Sequence, residues 1–147
     1  KYAPVLGWFG LRIGCICVER GKRTQAIKSM VAAVNSGNSP AGQLIIYPQG
    51  TRIAPGASAP YKIGTAVLYQ ETGQTCIPAA TNVGVFWPKY GILRQPGLAV
   101  VEFLPAIQPG FDNEEFMHRL EEVIEQSSNA LLEEAAIDGF YPLGQDT

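Results

Sequence analysis

Residues 44–52 read Leu-Ile-Ile-Tyr-Pro-Gln-Gly-Thr-Arg, and no other stretch restricts the fold as strongly. Leu44, Ile45 and Ile46 form an apolar run of the length expected for a strand buried on both faces of a parallel sheet. Pro48 has no N–H to give to a ladder, so such a strand must stop there. Gly50 allows a tight turn and a close approach of backbone to a ligand. Thr51 and Arg52 then stand at the carboxyl end of the predicted strand, the edge at which open α/β sheets bind ligands. Backbone N–H groups, a hydroxyl and a planar guanidinium on one corner suit an anion, above all a phosphate.

The surrounding pattern supplies the rest of such a sheet. A short helix over 4–12 leads to a strand at 14–18. Thr24 caps a helix to about Asn35, with Ile27, Met30, Val31 and Val34 on one face and Gly37 as its stop. After the strand at 43–47 and a Pro/Gly/Ala/Ser loop over 53–60, a helix is expected from Tyr61 to Thr72, halted by Gly73. Strands follow at 76–82 and 98–104, separated by an irregular aromatic excursion through Phe86, Trp87 and Tyr90. The last helix has the clearest start signal. Asp112 with Glu115 makes a capping-box-like pair, and Phe116, Leu120, Val123, Ile124, Leu131 and Leu132 share one face. Strand–helix alternation predicts a single α/β domain over 1–137 with a mostly parallel central sheet flanked by helices, and a loose tail over 138–147.

Charge is divided unevenly along the chain. Residues 1–94 carry ten Lys and Arg against two acids, whereas residues 95–147 carry one Arg against eleven acids. A basic face that meets anionic lipid or a phosphorylated substrate fits this division, with the acidic helix turned away; an ordinary solvated acidic helix fits it equally well. Cys15 and Cys17 alternate with apolar residues and read as packed side chains, and three cysteines in all suit a reducing compartment. No spacing of Cys or His offers a metal site. No phosphate-loop or dinucleotide fingerprint follows a predicted strand, and neither a cofactor nor a nucleic-acid partner is expected. The apolar stretch Tyr2 to Val18 is broken by Pro4, Gly7, Gly10 and Arg12, short of the run needed to span a bilayer. It suits either a membrane interface or packing on the sheet. The abrupt start at Lys1 predicts a piece of a longer protein.

The corner also carries a resemblance. Tyr47-Pro48-Gln49-Gly50-Thr51-Arg52 with Tyr61-Lys62-Ile63-Gly64 resembles the phosphate-binding block of the glycerolipid acyltransferases, most closely the bacterial lysophosphatidate acyltransferases. Gly14-Cys15-Ile16-Cys17-Val18-Glu19-Arg20 resembles the family's upstream Gly-x-Ile-x-x-x-Arg block, and Ile77-Pro78-Ala79-Ala80-Thr81-Asn82 its downstream block. The resemblance implies the glycerol-3-phosphate acyltransferase α/β fold. It further implies transfer of an acyl group from acyl carrier protein or coenzyme A to lysophosphatidate, giving phosphatidate. Arg20, Gln49, Gly50, Thr51, Arg52 and Lys62 are then expected at the acceptor phosphate, with Lys62 either adding a point charge or facing solvent. Pro78 and Asn82 are expected to shape the pocket. The expected place of work is the cytoplasmic face of a bacterial inner membrane, on an anionic lipid surface, peripherally or through an upstream anchor.

Two departures matter. Gln49 stands where the family usually has Glu, which keeps an acceptor carbonyl but removes a charge. The family's general base, the His of a His-x4-Asp pair, has no counterpart here. The only histidine, His118, is followed five residues later by Val123 and falls within the acidic helix, where it reads as an ordinary helix residue. The 147 residues alone are therefore expected to be inactive. Two rival readings stand beside this one. The first is a related membrane acyltransferase with another acceptor, such as an ornithine lipid or a lipid A precursor. The second is a non-catalytic module that binds anionic lipid.

Overall fold

The computed structural model describes residues 27–28, 31–32, 44–90, 92–137 and 139. The elements expected at 4–12 and 14–18, most of the helix at 24–35, Arg20, Cys15, Cys17 and most of the tail lie outside the described residues. Ile27, Lys28, Val31 and Ala32 are helical, as the pattern predicts. Beyond them the order is α1 (Gly64–Thr72), β1 (Ala79–Thr81), α2 (Val83–Phe86), β2 (Val101–Phe103) and α3 (Asn113–Ile137).

The backbone of α3 is the base of this arrangement, and its start is set by chemistry local to the sequence. The Glu115 N–H donates to Asp112 Oδ1 at 2.8 Å, which satisfies one of the donors a helix start leaves open. Glu114 and Glu115 occupy the first turn, where the helix dipole favours negative charge. Phe116, Leu120, Leu131, Leu132 and Ala135 are buried along one stripe. Against its first half packs α1. Tyr69 and Phe116 stack with centroids 3.9 Å apart and planes 8° apart, and Ala66, Ile107 and Leu120 complete this cluster. Full burial of an aromatic ring such as Phe116 contributes about 2–3 kcal/mol. Gly73 ends α1 in the left-handed region at φ 58°, its N–H donating to the Tyr69 carbonyl at 3.0 Å, as the Gly73 stop predicts.

β1 and β2 run antiparallel, with Ala80 opposite Glu102. Their inner face lies on α3, where Ala80 is buried and Ser127 of α3 donates to the Glu102 carboxylate. A further bridge joins Cys76 and Ile107. Three residues, Leu104 to Ala106, separate that bridge from Phe103, against two, Ile77 and Pro78, on the other strand. The extra residue is a bulge in a stretch where Pro78 and Pro105 have no N–H to offer.

Two expectations are not met among the described residues. The parallel sheet is not seen among the described residues, where the only pairing is antiparallel. Residues 44–47 form no strand there, and Ile45 and Tyr47 are 74% and 79% exposed. An apolar run acquires strand geometry only when a neighbour takes up its backbone groups, and the described residues supply none. The strands at 76–82 and 98–104 exist but are shorter, trimmed by Pro78 at one end and by the start of α2 at the other.

Candidate acceptor-phosphate corner

The turn after Tyr47 has the tight geometry that its sequence predicts. The Gly50 N–H donates to the Tyr47 carbonyl at 2.9 Å, and Gly50 sits at φ 69°, a region a side chain disfavours. The Lys62 N–H donates to the Pro48 carbonyl at 2.9 Å. This bond ties the segment before α1 to the turn, and the helix begins at Gly64 rather than at Tyr61. It also lays the Lys62 side chain over Gly50: a Cβ at Gly50 would stand 2.8 Å from Lys62 Nζ and 3.1 Å from its Cδ and Cε. Glycine is thus favoured here chiefly by φ, while a side chain would also have to displace the flexible lysine stem. The next glycine, Gly64, gives room for Ile27, whose Cδ1 would lie 3.3 Å from an added Cβ.

The Lys62 side chain thus lies against the turn while staying exposed. Thr51 and Arg52 follow on the exposed side, and Gln49 is half-buried. Arg52 Nη2 donates to the Lys89 carbonyl at 3.0 Å, a contact with no signal in the sequence. Among the described residues neither Arg52 nor Lys62 forms an ion pair, including with Glu71. Two cations with no carboxylate partner beside a glycine turn leave a corner suited to an anion. Arg20 lies outside the described residues.

Pro78 is fully buried and Asn82 is 5% exposed. Asn82 has a role that its local sequence does not disclose. Its backbone carbonyl accepts from the Val85 N–H at 3.0 Å and so enters α2. Its side chain takes over the sheet: Oδ1 accepts from the Val100 N–H at 2.8 Å, and Nδ2 donates to the Leu98 carbonyl at 3.3 Å. Thr81 adds a bond from its hydroxyl to the Val100 carbonyl at 2.8 Å. Asn82 thus extends the ladder past the point where the backbone turns into a helix, and fixes where the chain returns at 98–100. It shapes the region by holding backbone.

Phe86 is buried with Val85 and Leu132, while Trp87 and Tyr90 are exposed. His118 is exposed on α3, 3.8 Å from Glu122. Tyr61 donates to Glu125 Oε1 at 2.9 Å; burial, then that bond and the nearby charge of Glu125, push its phenol well above the ordinary range. Burial also raises the Cys76 thiol, which marks it as packed rather than reactive. A groove of about 900 Å³ lies elsewhere, between Pro105–Asp112 and the first half of α3. Among the described residues no group of His, Cys, Asp and Glu is placed to hold a metal, and no helix is long and apolar enough to cross a membrane.

The corner lies inside a stretch that matches known sequences. Residues 1–82 match the family model described as Acyltransferase. The chain belongs to the acyltransferase family. It is 29% identical over 106 residues to a 1-acyl-sn-glycerol-3-phosphate acyltransferase of Pseudomonas aeruginosa, covering 72% of this chain and 41% of that protein. It is also 29% identical over 111 residues to a 1-acyl-sn-glycerol-3-phosphate acyltransferase of Saccharomyces cerevisiae, covering 73% of this chain and 36% of that protein. The chain thus spans about two fifths of the length of these relatives, which include a eukaryotic one. No solved structure matches it significantly. The family match ends at Asn82, the residue at which the ladder passes from backbone to side chain.

Proposed function

We propose that this chain contributes the acceptor-phosphate half of a lysophosphatidate acyltransferase site. The complete reaction transfers an acyl group from an acyl carrier protein or coenzyme A thioester to the free hydroxyl of lysophosphatidate. The new bond joins that hydroxyl oxygen to the acyl carbon, the carbon–sulfur bond breaks, and the hydroxyl proton ends on the departing thiol. The observation that carries the reading is the Gly50 turn with Lys62 over it and Arg52 beside it, both cations without a carboxylate among the described residues. In this role the planar guanidinium of Arg52 takes two phosphate oxygens and Lys62 adds a point charge. Gly50 makes the turn that lets a phosphate approach the backbone, Thr51 supplies a hydroxyl donor, Gln49 stands beside them, and Arg20 joins them from its own block. Holding the headgroup at one end places the glycerol hydroxyl for attack, a contribution of position rather than of proton transfer.

The names of the two relatives support the acceptor, and family membership supports a parallel arrangement that includes Leu44 to Ile46. The work is assigned to the cytoplasmic face of a bacterial inner membrane. Because the sole histidine, His118, is followed five residues later by Val123 and not by Asp, the 147 residues alone are proposed to bind the acceptor without acylating it.

Chemical modification tests this. Phenylglyoxal should label Arg52, and millimolar glycerol 3-phosphate or lysophosphatidate should protect it, as read by mass spectrometry. In the complete gene product, Arg52→Ala should raise KM for lysophosphatidate at least about ten-fold, the loss of a charge-assisted pair. Labelling of Arg52 that ignores both phosphates, or acyl transfer by the 147 residues alone, would overturn the assignment.

A further inference from the structure

We infer that Trp87, Lys89, Tyr90, Ile92, Leu93 and Arg94 form a docking tip that enters the interface of an anionic bilayer and delivers the lipid acceptor to the Arg52 corner. This deepens the acyltransferase reading and rests on it for the lipid nature of the acceptor.

The first support is apolar surface that the fold does not use. Tyr90, Ile92 and Leu93 are 80%, 93% and 85% exposed, and Trp87 is 53% exposed. Neighbouring large apolar residues on one excursion are not the scattered single ones that any surface carries.

The second is a rigid neck. The Gln95 N–H donates to the Phe86 carbonyl at 3.0 Å, and the Trp87 N–H to that of Val83 at 2.9 Å. The buried Phe86 ring lies so close to Gly97 that a Cβ there would fall 1.9 Å from its Cε1. Asn82 fixes the returning strand through Leu98 and Val100. The tip is therefore held out from a fixed base, which lowers the ordering cost of insertion.

The third is charge and its pairing with aromatic rings. No acid occurs between Thr72 and Val101. The Arg94 guanidinium lies 4.1 Å from the Trp87 ring centre, and Lys89 Nζ lies 5.4 Å from that of Tyr90. Aromatic rings beside Lys and Arg suit the headgroup level of a membrane, where one end of each side chain is apolar and the other wet. The fourth is continuity with the site: Arg52 donates to the Lys89 carbonyl at 3.0 Å, so the proposed phosphate ligand stands at the foot of the tip.

The test uses the 147-residue chain and vesicles of phosphatidylcholine with and without 30% phosphatidylglycerol (a composition chosen as a probe, roughly that of an anionic membrane surface). Sedimentation should show binding that rises with phosphatidylglycerol and falls with salt. Lys89→Gln/Arg94→Gln should lower the partition coefficient about twenty-five-fold, at about five-fold per cation. Ile92→Ser/Leu93→Ser should lower it at least about ten-fold on either vesicle. Circular dichroism and thermal melting should match the parent, since these side chains are exposed. In a Trp8→Phe background, brominated lipid should quench Trp87. Binding of both double variants within about two-fold of the parent, or an unquenched Trp87 on a bound chain, would overturn the inference. So would a dimer that Ile92→Ser/Leu93→Ser dissociates without any lipid binding. The phenylglyoxal protection of Arg52 by soluble glycerol 3-phosphate is independent of vesicles, so it separates failure of the tip from failure of the acyltransferase reading.

Discussion

Asn82→Ala should be among the most costly polar substitutions in this chain. The side chain is nearly inaccessible and makes two bonds to the returning strand, at 2.8 Å to the Val100 N–H and 3.3 Å to the Leu98 carbonyl. Alanine leaves the Val100 N–H without its acceptor in a half-buried position, a penalty of about 1–3 kcal/mol. The Leu98 carbonyl is nearer solvent, and its loss together with the vacated volume adds about 1 kcal/mol. A total of roughly 3 kcal/mol, in a chain of this length, lowers Tm by about 6–12 °C. Urea and thermal unfolding measure the loss, and hydrogen exchange at the Val100 amide locates it. Asn82→Asp keeps the acceptor toward Val100 but sets an oxygen against the Leu98 carbonyl, so it should fall between parent and alanine. A loss under about 0.5 kcal/mol for Asn82→Ala, or an unchanged Val100 exchange rate, would refute the claim that this side chain continues the ladder.

Three further outcomes are expected. Gly50→Ala should cost about 1–2 kcal/mol from its left-handed φ, plus a smaller term from displacing the Lys62 stem; in a Lys62→Ala background only the first part should remain, as a double-mutant cycle by urea unfolding would show. Because the folded-state Tyr61 phenol titrates above its ordinary value, the unfolded chain loses that proton first. The contribution is thus fully present below about pH 10 and is lost as pH rises further, and Tyr61→Phe should flatten this alkaline limb in pH-dependent unfolding. In a Cys15→Ser/Cys17→Ser chain, Cys76 should react with a thiol reagent at neutral pH at least about ten-fold more slowly than it does after unfolding, since burial holds it as the thiol.

Local chemistry alone made several features legible. The Asp112–Glu115 cap, the apolar stripe through Phe116 and Leu120, the Gly73 stop and the tight Gly50 turn each depend on groups within a few residues of one another. A linear sequence states those relations directly. The family blocks were legible for the same reason, because they are short runs with internal spacing.

Tertiary structure decided what depends on a partner distant in the chain. Leu44 to Ile46 are apolar enough for a strand, yet strand geometry needs backbone groups from elsewhere, and the described residues pair none with them. The bond from the Lys62 N–H to the Pro48 carbonyl and the lie of its stem over Gly50 join segments twelve and more residues apart. Asn82 looked like a lining residue; a side-chain amide extending a ladder becomes visible only when the strand it serves returns 16 to 18 residues later. The contact of Arg52 with the Lys89 carbonyl, 37 residues away, belongs to the same class. Residue type specifies what a group can bond to, and folding alone determines which distant group comes within reach.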